Sequence, residues 1–259
     1  IGFGAYSSRV TLMGGNACKM AGEEIKKQIL KAASEILKVD ESLLEAKENK
    51  IYVKDNPKIS IPWEDAGFAH FSNKGPLVGK GHYSPPKGLG GKYKGAAVGT
   101  SPAYSFSATV CEVDVDMDTG KVKVLNFWDA HDCGTAINPM AAEGQAEGAV
   151  VMGMSEVLFE NEVFDKHGKM LNADLHNYLI ATSADMPEIN STIVDSYEPE
   201  GPFGAKEIGE GATLPILGAI ANAIANAIGV QIFELPITPE KVLKAIRSKT
   251  ENSIPDHKN

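Results

Sequence analysis

Gly204-Ala205-Lys206-Glu207-Ile208-Gly209-Glu210-Gly211, running on into Ala212-Thr213-Leu214-Pro215, is the stretch around which the rest of the chain organises. Glycine allows close approach of the backbone or positive φ at a site where a side chain would be strained. Thr213 and Pro215 are helix-start residues, and the run from Leu214 to Ile228 behind them is strongly apolar. The loop therefore feeds a helix N-terminus, where backbone N–H groups favour negative charge. From the residues alone Glu210 reads either as a helix cap, as a partner for Lys206, or as a working base.

Working outward, apolar residues from Ala17 to Leu37 recur at spacings of three and four and predict an amphipathic helix over 17–38. Short strands follow at Lys50 to Val53 and around Ile59 to Ile61, and Pro62-Trp63-Glu64-Asp65 opens a second helix. Lys74 to Pro102 is rich in glycine and proline and predicts a long loop, exposed or skirting a cofactor. Phe106 to Asp116 and Gly120 to Asp129 alternate in polarity around Met117-Asp118-Thr119-Gly120 and predict a hairpin. Residues 139–154, with glycines at 144, 148 and 153, predict a helix packed close against another backbone. Val157 to Phe164 and Ile189 to Tyr197 read as strands. Leu214 to Ile228 reads as a helix buried all round, and Pro239 to Ser248 as an amphipathic one. Strands and helices mix without strict alternation, so the fold class is α+β.

The chain has 259 residues, enough for one large domain or two lobes, at about 1–105 and 106–259. Its net charge of −9 and scattered lysines argue against a nucleic-acid or acidic membrane partner. Cys18, Cys111 and Cys133 are far apart with no CxxC, which argues against disulfides and iron–sulfur ligation and fits a reducing, cytoplasmic setting. The apolar run ending at Ile228 is too short for a transmembrane span. The start at Ile1 reads as a fragment or a split subunit.

Four blocks in order resemble the molybdenum hydroxylases, the xanthine dehydrogenase and aldehyde oxidase family. They are Ala5-Tyr6-Ser7-Ser8-Arg9 with Gly15-Asn16-Ala17; Asp132-Cys133-Gly134-Thr135-Ala136-Ile137-Asn138-Pro139 through Glu143-Gly144-Gln145; the Gly204 to Gly211 loop; and Leu235-Pro236-Ile237-Thr238-Pro239-Glu240-Lys241-Val242. The resemblance implies the C-terminal part of a molybdopterin-binding domain, with the cytosine dinucleotide form of the cofactor carrying molybdenum. It places the base at Glu210, taking a proton from a hydroxyl or water during oxygen insertion. It places cofactor contacts at Ala5, Tyr6, Ser7, Ser8, Arg9, Gln145, Lys206 and Gly209. The same resemblance puts iron–sulfur clusters and FAD on partner chains, with the remainder of the large subunit as a further partner. It assigns no metal ligand to protein side chains.

Gly90-Gly91-Lys92-Tyr93-Lys94-Gly95 and Gly99 to Phe106 look most like the 4-hydroxybenzoyl-CoA reductase branch. The broader family instead hydroxylates purines, aldehydes or N-heterocycles with water, and a non-catalytic cofactor-holding subunit is the third reading. Cys133 reads as a packed free thiol, Asn138-Pro139 as a turn that starts a helix, and Glu207 as solvent-facing. His82, His131, His167 and His176 lack metal-ligand spacing and read as structural or surface residues. Asp114, Asp116 and Asp118 read as a solubilising face beside a turn.

Overall fold

The computed structural model describes residues 5, 8–86 and 102–252. The chain divides into two compact units, one of residues 9–102 and one of residues 1–8 with 103–259. In the first, a π-helical turn at Val10–Gly14 leads into α1 (Gly15–Leu37). Next come β1 (Leu44–Lys47), β2 (Lys50–Val53) and β3 (Asn56–Pro62), an antiparallel sheet in sequence order, and then α2 (Trp63–Lys74). The α1 face carrying Ile29 and Ala33 buries against Leu44, Ile51, Val53 and Ala66. Residues 75–86, expected to skirt a cofactor or solvent, lie along α1. The Gln28 amide donates to the Val78 carbonyl at 2.7 Å, and the Lys80 N–H donates to Glu24 at 2.7 Å. Gly79 and Gly81 meet the carbonyls of Ala21 and Ala17 so closely that any Cβ would clash.

In the second unit β4 (Phe106–Val115) and β5 (Val122–Asp132) form the expected hairpin, shifted by one bulge between Glu112 and Val113. Asp116 shapes its turn by accepting the N–H groups of Asp118 and Thr119, a structural task beyond solubility. Strand β5 continues three residues beyond the stretch read from sequence. The chain then forms α3 (Pro139–Leu158) and returns as β6 (Glu188–Ile193), parallel to β5. A parallel pair needs such a crossover. Helices α4 (Leu214–Ile228) and α5 (Pro239–Asn252) complete the unit.

Three expectations are corrected. Val157 to Phe164 is not a strand: Val157 and Leu158 complete the α3 stripe begun by Val150 and Met154, and the helix ends at Leu158. Helix α4 is not buried all round. Ile216, Ile220, Ile224 and Ile228 form one buried row at i, i+4 spacing, while Leu214, Asn222 and Asn226 face out. Taken with the turn before it, Gly211–Ile228 does reach the length and hydropathy of a membrane span. Its isoleucine row is nonetheless spent on the protein core formed with Val124, Phe127, Val150 and Met154.

Close helix approach comes from Gly153 alone of the three α3 glycines. A Cβ there would lie 2.7 Å from Ile216, whereas Gly144 and Gly148 meet nothing within 4 Å. Gly153→Ala should therefore destabilise the chain by about 1–3 kcal/mol through overpacking, despite alanine's better helix propensity. A denaturant midpoint that stays put or rises would contradict the close crossing.

Candidate functional site

Strand β5 ends beside the loop quoted at the outset, and the loop is fastened to it. The Gly134 bridge to Ala205 sets the register, with the Thr135 N–H on the Gly204 carbonyl at 2.8 Å and the Lys206 N–H on the Cys133 carbonyl at 2.8 Å. Gly134 and Gly204 have φ of 69° and 85°, a region that favours glycine. The Lys206 side chain is only 7% exposed; its ammonium donates to Asp132 at 2.6 Å and to the Tyr104 carbonyl at 2.7 Å. It also stands over the Phe106 ring, 5.5 Å from the centroid. Lys206 is thus a partner for Asp132 rather than for Glu210.

Further on, the Ser105 hydroxyl donates to the Glu207 carbonyl at 2.6 Å, and the Ser107 hydroxyl to the Gly211 carbonyl at 2.8 Å. The Gln145 amide, projecting from α3, donates to the Gly209 carbonyl at 2.9 Å. Four side chains, Asp132 on β5, Ser107 on β4, Ser105 just before β4 and Gln145 on α3, therefore hold one eight-residue loop. Glu210 stands at its exposed crest, where its carbonyl accepts the Thr213 N–H at 3.1 Å. The Glu210 side chain makes no capping bond to the 3₁₀ turn Gly211–Thr213 that leads into α4, so the capping reading does not hold.

Ser8 comes to the same place. A Cβ on Gly209 would sit 3.1 Å from the Ser8 hydroxyl, which is buried and has no hydrogen-bond partner among the described residues. Ser8 takes a φ of 44°. Ala5 is exposed. Tyr6 and Ser7 lie outside the described residues, as do residues 90–101, which carry most of the reductase-like wording. Arg9 falls in the other unit, where its carbonyl accepts the Met13 N–H at 2.9 Å. Structure thus gathers Ser8, Gln145, Lys206, Gly209 and Glu210.

Asn138 caps α3 as a turn residue, accepting the Ala141 N–H at 3.2 Å. Cys133 is a buried thiol, and burial pushes its pKa up. Glu207 is half-buried rather than solvent-facing. His167 and His176 are exposed; His131 is wholly buried. No group of three or more His, Cys, Asp or Glu side chains placed to hold a metal ion exists among the described residues. Sequence reading missed Asp132 as the anchor of the loop. The signal was an acid and a lysine in two separate Gly-containing blocks, with nothing in their spacing to pair them.

Burial works to raise the Asp132 carboxyl, but hydrogen bonds from Lys206, Ser196 and the Gly134 N–H together hold it below the ordinary aspartate value. A depressed carboxylate contributes stability above its unfolded value of about 3.9, and the contribution is lost as pH falls through the lower folded value. Lys206→Met should remove about 3 kcal/mol at pH 7 by stranding that carboxylate, and should flatten the acid-side loss. An unchanged unfolding midpoint at pH 7 would contradict the pairing's role.

Comparison with known proteins bears on this arrangement. The family model for the molybdopterin cofactor-binding domain matches residues 1–187. The 6-hydroxypseudooxynicotine dehydrogenase complex subunit gamma of Paenarthrobacter nicotinovorans is 30% identical over 244 residues, 93% of this chain and 30% of the relative. The reconstituted CO dehydrogenase from Oligotropha carboxidovorans superposes with a TM-score of 0.85 at 25% identity, over 97% of this chain and 30% of that one. Quinoline 2-oxidoreductase from Pseudomonas putida 86 superposes with a TM-score of 0.82 at 26% identity, over 95% of this chain and 31% of that one. The chain therefore spans about 30% of the length of these relatives and belongs to the molybdopterin cofactor-binding domain family of the molybdenum hydroxylases.

Proposed function

We propose that this chain is the part of a molybdenum hydroxylase-type oxidoreductase that holds one side of the molybdopterin and supplies the acid–base carboxylate, Glu210. The observation that carries the reading is the clasped Ser8–Gly209–Glu210 corner. A buried serine hydroxyl with no partner among the described residues meets a glycine that has no side chain to fill the space, directly beside an exposed acid. A buried hydroxyl without a partner calls for one, and the pterin's oxygens and ring nitrogens fit it. Gln145 keeps its amide oxygen for the same group while its N–H fixes the Gly209 carbonyl. Lys206 serves the site by pinning the loop, since Asp132 and Tyr104 already take its ammonium.

When bound, the cofactor supplies two-electron redox chemistry through its metal. Glu210, on a loop fixed at Glu207, Gly209 and Gly211, takes a proton at its carboxylate from the attacking water as that oxygen meets the electrophilic carbon of the substrate. The substrate class is an aromatic or N-heterocyclic ring. Two of the relatives named above carry that chemistry in their names, 6-hydroxypseudooxynicotine and quinoline. Turnover draws on the remainder of the large subunit and on iron–sulfur and flavin partners; the 6-hydroxypseudooxynicotine dehydrogenase relative is itself named as a complex subunit. The cytosine dinucleotide form of the cofactor belongs to the same proposal, as does the reductive 4-hydroxybenzoyl-CoA branch. Assaying aromatic acyl-CoA esters against N-heterocycles, purines and aldehydes decides the direction.

Glu210→Gln in the assembled enzyme should lower kcat by about 10²-fold or more, the contribution of a positioned general base, while molybdenum content stays at the parent level. Activity surviving within about tenfold would remove Glu210 from the mechanism.

A further inference from the structure

Beneath Gly211 lies a row of buried and half-buried polar side chains that the proton chemistry does not use. Thr109, Asp129 and Ser191 face one another directly across β4, β5 and β6, and His131 follows Asp129 on the same face, opposite Ser107. Asp129 is 2% exposed and His131 wholly buried. The Thr109 hydroxyl donates to one Asp129 oxygen at 2.7 Å. The other Asp129 oxygen and the Ser191 hydroxyl complete no hydrogen bond among the described residues, and the His131 ring nitrogens complete none of good geometry, their nearest approach being to the Glu207 backbone of the loop.

A filler for this space would be apolar; polar groups left short of partners cost stability, and proteins keep them where they serve the site. The row has one contact with function. A Cβ on Gly211 would lie 3.0 Å from His131 Cε1, and the Gly211 carbonyl is tied to Ser107, the residue paired with His131. The imidazole is thus the floor under the residue that follows Glu210.

We propose that His131 is a positioning residue for Glu210: its ring, backed by Asp129, supports Gly211 from beneath and so sets the direction in which the carboxylate leaves the loop. The proposal rests on the reading of Glu210 as the base. Burial lowers the His131 pKa, with the Glu207 backbone, Asp129 and Asp132 opposing, and burial raises that of Asp129, so the ring stays uncharged near neutrality. A neutral plane can sit against a glycine without drawing water or a counter-ion under the loop.

The test is a cycle of His131→Ala, Gly211→Ala and the double variant in the assembled enzyme. It reads kcat, KM, molybdenum content and amide hydrogen exchange across residues 207–213. Each single change should lower kcat by about a hundredfold, as small misplacements of a catalytic group do. KM should stay within about threefold and molybdenum content should not change. Exchange in 207–213 should rise with His131→Ala. The double variant should be no worse than either single one, because the methyl added at 211 costs only while the ring is there. Losses that multiply, or unaltered exchange in 207–213, would overturn the proposal. If His131→Ala fails to fold, Gly211→Ala keeps the ring and still must depress kcat without altering molybdenum content; parent-like kcat there overturns it. Failure of the Glu210 assignment is separate: Glu210→Gln would remain active while exchange in 207–213 still rose with His131→Ala.

Discussion

The buried ion pair between Lys206 and Asp132 is the constraint on which the site depends. A glycine-containing loop that must come near a ligand has little of its own to fix it, since glycine gives up the most conformational freedom on ordering. The pair converts that freedom into one geometry. Asp132 ends β5, so its position is set by a strand whose inner face is packed into the core. Lys206 donates its other bond to the Tyr104 carbonyl, just ahead of β4. The loop is thus referred to two rigid strands before a single residue of it faces solvent. Taking both charges out of water costs several kcal/mol per ion, repaid only by good geometry and further hydrogen bonds. Here Ser196 and the Gly134 N–H supply those bonds to Asp132.

From that anchor the loop is divided into fixed points. Ser105 holds Glu207, Gln145 holds Gly209 and Ser107 holds Gly211, which leaves the Glu210 side chain at the crest between two restrained carbonyls. The α3–α4 contact at Gly153 and Ile216 works on the same geometry from the other side. It sets how closely the helix after the loop approaches the helix that carries Gln145. Core packing and site geometry are therefore linked through two helices and one sheet. A carboxylate held this way loses less on reaching its working position than one on a free loop, which is what preorganisation means for an acid–base group.

Much of this was legible from sequence. The i, i+4 spacing gave α1 and the alternation gave the β4–β5 hairpin, because local periodicity decides both. The Gly204 to Gly211 block pointed at the site because glycine, lysine and glutamate rarely cluster for packing reasons. What stayed hidden was tertiary. The Lys206–Asp132 pair joins residues 74 apart in sequence, and the polar row of Asp129, His131 and Ser191 depends on which face of β5 turns inward. The strand reading also stopped at Asp129, three residues short of the end of β5, which takes in His131 and Asp132. They are strand residues because Ser107 and Phe106 pair with them. The misread Val157–Phe164 segment failed for the opposite reason: a short apolar run satisfies both periods, and only the preceding α3 stripe chooses between them.

The central claim is that the Ser8–Gly209–Glu210 corner faces the reacting centre. An experimental structure of the assembled, cofactor-loaded enzyme with a slow substrate or analogue measures this directly. The account requires the Ser8 hydroxyl to be hydrogen-bonded to the cofactor and the Glu210 carboxylate to lie within hydrogen-bond reach of the oxygen to be transferred, directly or through one water. A cofactor seated elsewhere, with Ser8 still without a partner and Glu210 turned to bulk solvent, would contradict it.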